Sequence, residues 1–235
     1  MRKNILVLLC VAFIIQFTGL LPLQAGHYYY KQISLKDGLP STVRCILTDE
    51  QGFVWIGTRS GLGRYDGHEL KKYVHQADDP HSIPHNFIYQ MIEDEQNNIW
   101  ILTDKGVARY RRQSDDFFIP TNESGNNIIV YSVCLTKGGV LFGSKNKIFF
   151  YNYQDATFRL LQTFDLEPNY NVTLLSLWDK RTLLCCSRWQ GLLLLDLNTG
   201  KCRRPPFDCG KEIMNVLIDS QKRIWVAPYN GGLNC

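Results

Sequence analysis

The chain is 235 residues long, with 45% hydrophobic, 12% aromatic and 20% charged residues and a formal net charge of +4. Without the first 25 residues, which carry Arg2 and Lys3, 24 basic residues face 22 acidic ones and the net charge falls to about +2. The basic residues are scattered rather than striped, which speaks against a nucleic-acid partner.

At the amino terminus, Arg2 and Lys3 precede an uncharged stretch from Asn4 to Gly26 with an apolar core, Ile5 to Ile15, and Leu23-Gln24-Ala25 offers a small residue for cleavage. This pattern reads as a secretory signal peptide over residues 1–25. The alternative is an uncleaved signal anchor, which Gln16, Thr18, Gly19 and Pro22 weaken. Cys10 follows Leu9, so it does not form a lipidation box. No later segment has the length and apolarity of a membrane span, so the mature part is expected to be soluble, exported and periplasmic.

Beyond the leader the chain repeats itself. Asp49-Glu50-Gln51-Gly52-Phe53-Val54-Trp55-Ile56-Gly57-Thr58 recurs as Asp94-Glu95-Gln96-Asn97-Asn98-Ile99-Trp100-Ile101-Leu102-Thr103. Gly61, Arg64 and Tyr65 recur as Gly106, Arg109 and Tyr110 at the same spacing of 45 residues. Degenerate third and fourth copies centre on Leu141 and Leu184, and a fifth runs from Asp219 to Trp225. Successive centres lie 45, 41, 43 and 41 residues apart. A near-constant period of this length predicts a blade-type or solenoid architecture.

The apolar runs are short, rich in Val, Ile, Trp, Tyr and Phe, and punctuated by Gly, Asn and Asp, so each reads as strand rather than helix. In Phe53 to Thr58 both alternating faces are apolar, which requires cover on both sides of the sheet. The expected fold is therefore an all-β propeller of four-stranded antiparallel blades. About four and a half blades are present, at about 36–78, 79–120, 121–165, 166–208 and an incomplete 209–235. Asp49 and Gly52 are placed to open and close a type I turn between the first two strands of a blade, and Gly57 is expected to leave room beside the Trp55 indole.

No catalytic constellation emerges. Asp49, Asp94 and Asp219 hold the same turn of separate blades, where turn formation is the expected role. His81 and His85 have the spacing of ligands on one helix, but Pro80 and Pro84 make their segment a loop, so no metal or cofactor is expected. Seven cysteines remain after the leader, with no CxxC pair. Adjacent Cys185 and Cys186 face opposite ways on a strand, and Cys202 with Cys209, around Pro205-Pro206, is the plausible disulfide.

The full first copy resembles the two-component regulator propeller repeat: Asp49, Gly52, Trp55-Ile56-Gly57-Thr58, Gly61-Leu62 and Arg64-Tyr65-Asp66-Gly67. The leader Asp37-Gly38-Leu39-Pro40 and the connection from Asp78 to Asn86 resemble the same family. The structural repeat set is then Asp49, Gly52, Trp55, Gly57, Gly61, Tyr65, Asp94, Trp100, Gly106, Tyr110, Asp219 and Trp225.

The resemblance implies the periplasmic sensor of a hybrid two-component histidine kinase, recognising an oligosaccharide and regulating polysaccharide-utilisation genes. It also implies partners outside these 235 residues: further blades, a sandwich domain, a kinase, and a dimer in the full-length form. On this reading the chain is a fragment or truncated product, without enzymatic activity of its own and anchored to the membrane only through parts not present or an uncleaved signal. The alternatives are an exported scaffold for protein partners or a propeller enzyme acting on carbohydrate. If the first strand of each blade lines the central axis, the turns between second and third strands share one rim. Arg59, Asp104, Lys105, Arg188, Trp189, Tyr229 and Asn230 on that rim are the expected sugar contacts, together with Lys145-Asn146.

Overall fold

The computed structural model describes residues 32–233 except 35, 37, 40, 123, 164–170, 188 and 208. The expected signal peptide and Arg188 lie outside the described residues. Every strand falls within the unit Ser34–Cys235, and no α-helix occurs among the described residues.

Eighteen strands form five antiparallel sheets in strict chain order. The first sheet holds β1 (Val43–Thr48), β2 (Val54–Thr58), β3 (Leu62–Tyr65) and β4 (Leu70–Tyr73). The second holds β5 (Ile88–Glu93), β6 (Ile99–Thr103), β7 (Gly106–Arg111) and β8 (Asp116–Phe118). The third holds β9 (Ser132–Thr136), β10 (Gly139–Gly143), β11 (Lys147–Asn152) and β12 (Phe158–Thr163). The fourth holds β13 (Leu174–Leu177), β14 (Thr182–Ser187), β15 (Gly191–Asp196) and β16 (Cys202–Arg203). The fifth pairs only β17 (Ile213–Ile218) with β18 (Ile224–Pro228). Each four-stranded sheet is a meander, the unit of a propeller blade, and the series does not close into a ring.

One local device builds the first turn of three sheets. The Gly52 amide donates to the Asp49 carbonyl at 2.9 Å, Asn97 to Asp94 at 2.9 Å and Lys222 to Asp219 at 3.0 Å. The closing residue takes a positive φ each time, 86° at Gly52, 60° at Asn97 and 64° at Lys222. Glycine and asparagine suit that conformation, and lysine bears strain there. The aspartate does more than turn the chain. Its Oδ1 accepts the amide four residues on (Phe53, Asn98, Arg223), while Oδ2 accepts the indole Nε1–H six residues on. Those indole bonds measure 2.9 Å at Trp55, 2.8 Å at Trp100 and 2.9 Å at Trp225. The carboxylate thus fixes both the hairpin and the indole orientation in the core.

Strand alternation sends successive side chains into successive cores. Trp55 and Leu62 meet Ile88, Ile99, Ile101 and Tyr110 between the first two sheets. On the opposite face of β6, Trp100 and Leu102 meet Val130, Val140, Phe142 and Tyr151. Cys185 and Cys186 divide in the same way, Cys185 entering the core shared with the third sheet and Cys186 the core shared with the fifth. Each sheet between two others is covered on both faces.

The repeated Arg-Tyr pair links neighbours. Arg64 donates to the Tyr110 hydroxyl of the next sheet, and Arg109 donates to the Tyr151 hydroxyl of the sheet after it. Each tyrosine ring stands edge-on to the preceding tryptophan, with centroids 4.7 Å apart for Trp55–Tyr110 and 4.8 Å for Trp100–Tyr151. Gly57 serves the same junction. A Cβ there would lie 2.5 Å from Cys45 Sγ and 2.8 Å from Ile88 Cγ2. The space it leaves is filled by the neighbouring strand and the next sheet.

Candidate functional site: the rim of second-to-third-strand turns

The turns after each second strand are built alike. Thr58 Oγ1 donates to the Gly61 carbonyl at 2.7 Å, and Thr103 Oγ1 to Gly106 at 2.7 Å, with both threonines fully buried. Each turn then lies against the segment leading into the next sheet. The Gly61 amide donates to the Asn86 carbonyl at 2.8 Å, and the Val172 amide donates to Ser144 at 2.8 Å. A Cβ on Gly106 would stand 3.1 Å from Asn127 Cβ, and one on Gly191 would stand 3.1 Å from the Gly210 carbonyl. Glycine is required at Gly106 doubly, since its φ is 148°.

The described residues expected on this rim follow β2, β6, β14 and β18. Arg59 is exposed and its guanidinium lies 5.9 Å from the Phe87 ring centroid, beside Arg44 at 5.6 Å. Asp104 and Lys105 stand exposed at the tip of the β6–β7 turn, and Asn230 is exposed after β18. Trp189 is 59% exposed and Tyr229 is 56% exposed. The described surface carries, among others, cavities of about 870, 360 and 340 Å³.

The largest of those cavities belongs to the third sheet. Its 870 Å³ groove runs between the long connection through Asn122, Asn127 and Tyr131, the β10–β11 turn at Lys145-Asn146, and the outer strands at Lys147, Phe149, Phe158 and Arg159. Sequence reading reached Lys145 and Asn146 through their turn. It missed Lys147, and it missed Phe158 and Leu160, which join Phe149 in this groove because β11 pairs with β12. The one signal available was the basic pair flanking Asn146.

The expected Cys202–Cys209 bridge is not formed, and both are free thiols. Cys209 is buried with Cys186 in the core between the fourth and fifth sheets. Cys202 is exposed, and the Cys185 thiol is pushed up by burial first and by Cys202 next. Burial pushes the Cys186 thiol up to about 12 and that of Cys45 to about 11, which leaves both as unreactive core groups.

Acidic groups concentrate at the junction of the first two sheets rather than on the rim. Asp115 accepts from Tyr73 Oη and Tyr110 Oη at 2.6 Å each, from Arg64 at 3.2 Å, and from Lys71. Burial opposes its ionisation, but these donors outweigh burial and hold its carboxyl down at about 2. At Asp49 burial is likewise outweighed by the Trp55 indole and by Arg112, which also reaches Gln51 and Glu93. These carboxylates are saturated with donors and serve packing; none is left poised for proton transfer.

Residues 37–60 and 82–105 match the family described as two component regulator propeller. The two segments carry the first two Asp–Trp turns and their second strands. Histidine kinase P4 from Formosa agariphila is 39% identical over 61 residues, which is 26% of this chain and 4% of that protein. Among solved structures, the extracellular domain of BT3049 from B. thetaiotaomicron, assigned to the hybrid two component systems, superposes with a TM-score of 0.72 at 21% identity. That likeness covers 86% of this chain and 30% of the other. The extracellular domain of BT4673 from the same organism, assigned to the one component systems, gives a TM-score of 0.68 at 22% identity, covering 88% of this chain and 28% of the other. The chain thus spans less than a third of either domain, and the likeness to them is one of propeller fold.

Proposed function

We propose that this chain, which carries two-component regulator propeller repeats at residues 37–60 and 82–105, is the exported ligand-sensing propeller of a two-component receptor. Its ligand is an oligosaccharide held on the rim of second-to-third-strand turns. Kinase activity, control of polysaccharide-utilisation genes and dimerisation belong to the rest of that receptor. The observation that carries the reading is the match of the repeats themselves, joined to the likeness to extracellular domains assigned to such systems. The rim supports it chemically. Exposed Trp189 and Tyr229 offer faces for sugar rings, and Arg59, Asp104, Lys105 and Asn230 offer donors and acceptors for hydroxyls. Arg188, outside the described residues, adjoins Trp189 in sequence and belongs to the same proposal. No helix among the described residues is long and apolar enough to cross a membrane. The periplasmic location therefore rests on the leader and on the extracellular placement of the similar domains.

Calorimetric titration of the purified chain against a panel of plant and host oligosaccharides tests the reading. Saturable binding to at least one is expected, weakened roughly tenfold by Trp189→Ala if that indole stacks on a sugar ring. Binding that ignores Trp189→Ala moves the contact to another turn, and a chain that binds no saccharide but captures a protein partner overturns the reading in favour of a scaffold.

A further inference from the structure

We propose that the groove on the third sheet is a seat for an acidic oligosaccharide, its carboxylate or sulfate groups held by Lys145 and Lys147. This inference rests on the oligosaccharide reading above and adds the charge class of the ligand and the place where it is read.

The groove has the dimensions of a binding site. About 870 Å³ falls within the range that holds drug-sized ligands, and a trisaccharide is of that order. Its lining divides into the two kinds of surface a sugar needs. Tyr131, Phe149 and Phe158 are half-buried and flank Ile129 and Leu160, which are 40% and 49% exposed. Large apolar side chains so exposed beside half-buried rings make a floor for the C–H face of a pyranose. Thr121, Asn122, Ser124, Asn127, Ser144 and Asn146 form the polar wall for hydroxyl groups.

The charge is one-sided. Lys145 comes from the β10–β11 turn and Lys147 from β11, both are exposed, and no ion pair engages them among the described residues. Arg159 is turned to the other face of β12, its guanidinium 5.9 Å from the Phe150 ring centroid. Among the described residues no aspartate or glutamate lines the groove. The carboxylate acting on Arg159 from nearby is Asp155, whose Oδ1 accepts the Thr157 amide and hydroxyl at 3.1 and 2.7 Å. At the junction of the first two sheets Arg64 pairs with Asp115 and Arg112 with Asp49. Two lysines beside no carboxylate among the described lining residues lower the free energy of an anion bound there. A neutral sugar gains nothing from them.

The test uses the whole chain and three uronic acid trisaccharides (galacturonate, mannuronate and glucuronate), each beside its fully methyl-esterified form, with a neutral trisaccharide panel alongside. The ester keeps the sugar and removes the charge. At low salt at least one acid is expected to bind tenfold or more tightly than its ester. That advantage should shrink in about 0.5 M NaCl, where the Debye length is only a few ångströms. The double variant Lys145→Ala/Lys147→Ala should abolish the advantage while leaving the thermal melt unchanged, since both side chains are exposed. Equal affinity for acid and ester, or for a neutral trisaccharide alone, overturns the acidic class and leaves the oligosaccharide reading standing. An acid preference that survives the double variant overturns the seat. Binding of no trisaccharide at all, charged or neutral, overturns this inference and the oligosaccharide reading together.

Discussion

The smallest unit of this fold is a carboxylate that does two jobs. Asp94 is 4% exposed, and its two oxygens receive the amides of Gln96 and Asn98, the Asn98 side chain and the Trp100 indole. Removing it strands a fully buried indole N–H and the amides of the turn at once. Asp94→Ala is therefore expected to cost about 3 kcal/mol in urea unfolding, most of it the penalty of unpaired buried donors. Trp100→Phe in the same background should cost less than it does in the native chain, because the indole donor it removes is already orphaned. Asp219→Ala should matter much less, since Trp225 is only partly buried and Arg223 shares its carboxylate. Asp115 gives a pH signature at the same scale. Its folded pKa of about 2 lies below the ordinary 3.8, so its contribution is complete above about pH 4 and is lost as pH falls toward 2. Asp115→Asn keeps the shape and tolerates the φ of 55° at this position. The acid limb of stability against pH, followed by denaturation midpoints from pH 6 to 2, should be shallower in that variant.

At the scale of strands and sheets, the contacts that matter lie between blades. Gly57 sits where β2 meets β5, and the atoms nearest to a new Cβ would be the Cys45 sulfur and the Ile88 side chain. Gly57→Ala should cost about 1–3 kcal/mol by overpacking. Cys45→Ala added to it should recover part of the loss, a coupling that a double-mutant cycle would show. The period, the strands and the four-and-a-half-sheet count were legible because tryptophan, glycine and aspartate recur at fixed spacing. Even the degenerate copies kept their alternation, as Cys185 and Cys186 show by entering separate cores. The aspartate-to-indole bond was not legible, because it spans six residues across a turn and only the folded hairpin brings its ends together. Arg64 and Arg109 were visible as repeated letters without a partner, since Tyr110 and Tyr151 lie 46 and 42 residues on. The rim turns could be placed by topology. The groove owes Phe158 and Leu160 to cross-strand register that sequence spacing does not encode.

At the scale of the whole array, the rule that covers every inner sheet leaves the two end sheets half covered. Trp55 and Trp100 each lie under a tyrosine from the next sheet and are fully buried, whereas Trp225 borders an open groove with Leu217, Ala227 and Leu233. Leu217 and Leu233 are each 64% exposed and Met214 is 52% exposed. At the other end Ile46 is 64% exposed on the face of β1 turned away from the second sheet. Such faces are apolar surfaces of sheet, the kind that associate unless covered. The isolated 235-residue chain should therefore self-associate with rising concentration, seen by light scattering or sedimentation. Association through these faces requires that Leu217→Lys and Ile46→Lys each reduce it, and that together they reduce it most. Both positions already face solvent, so neither change should lower the melting temperature. A chain that is monodisperse at high concentration before any substitution would show that the end faces are covered in solution. Unchanged association in the double variant would place the contact on another surface.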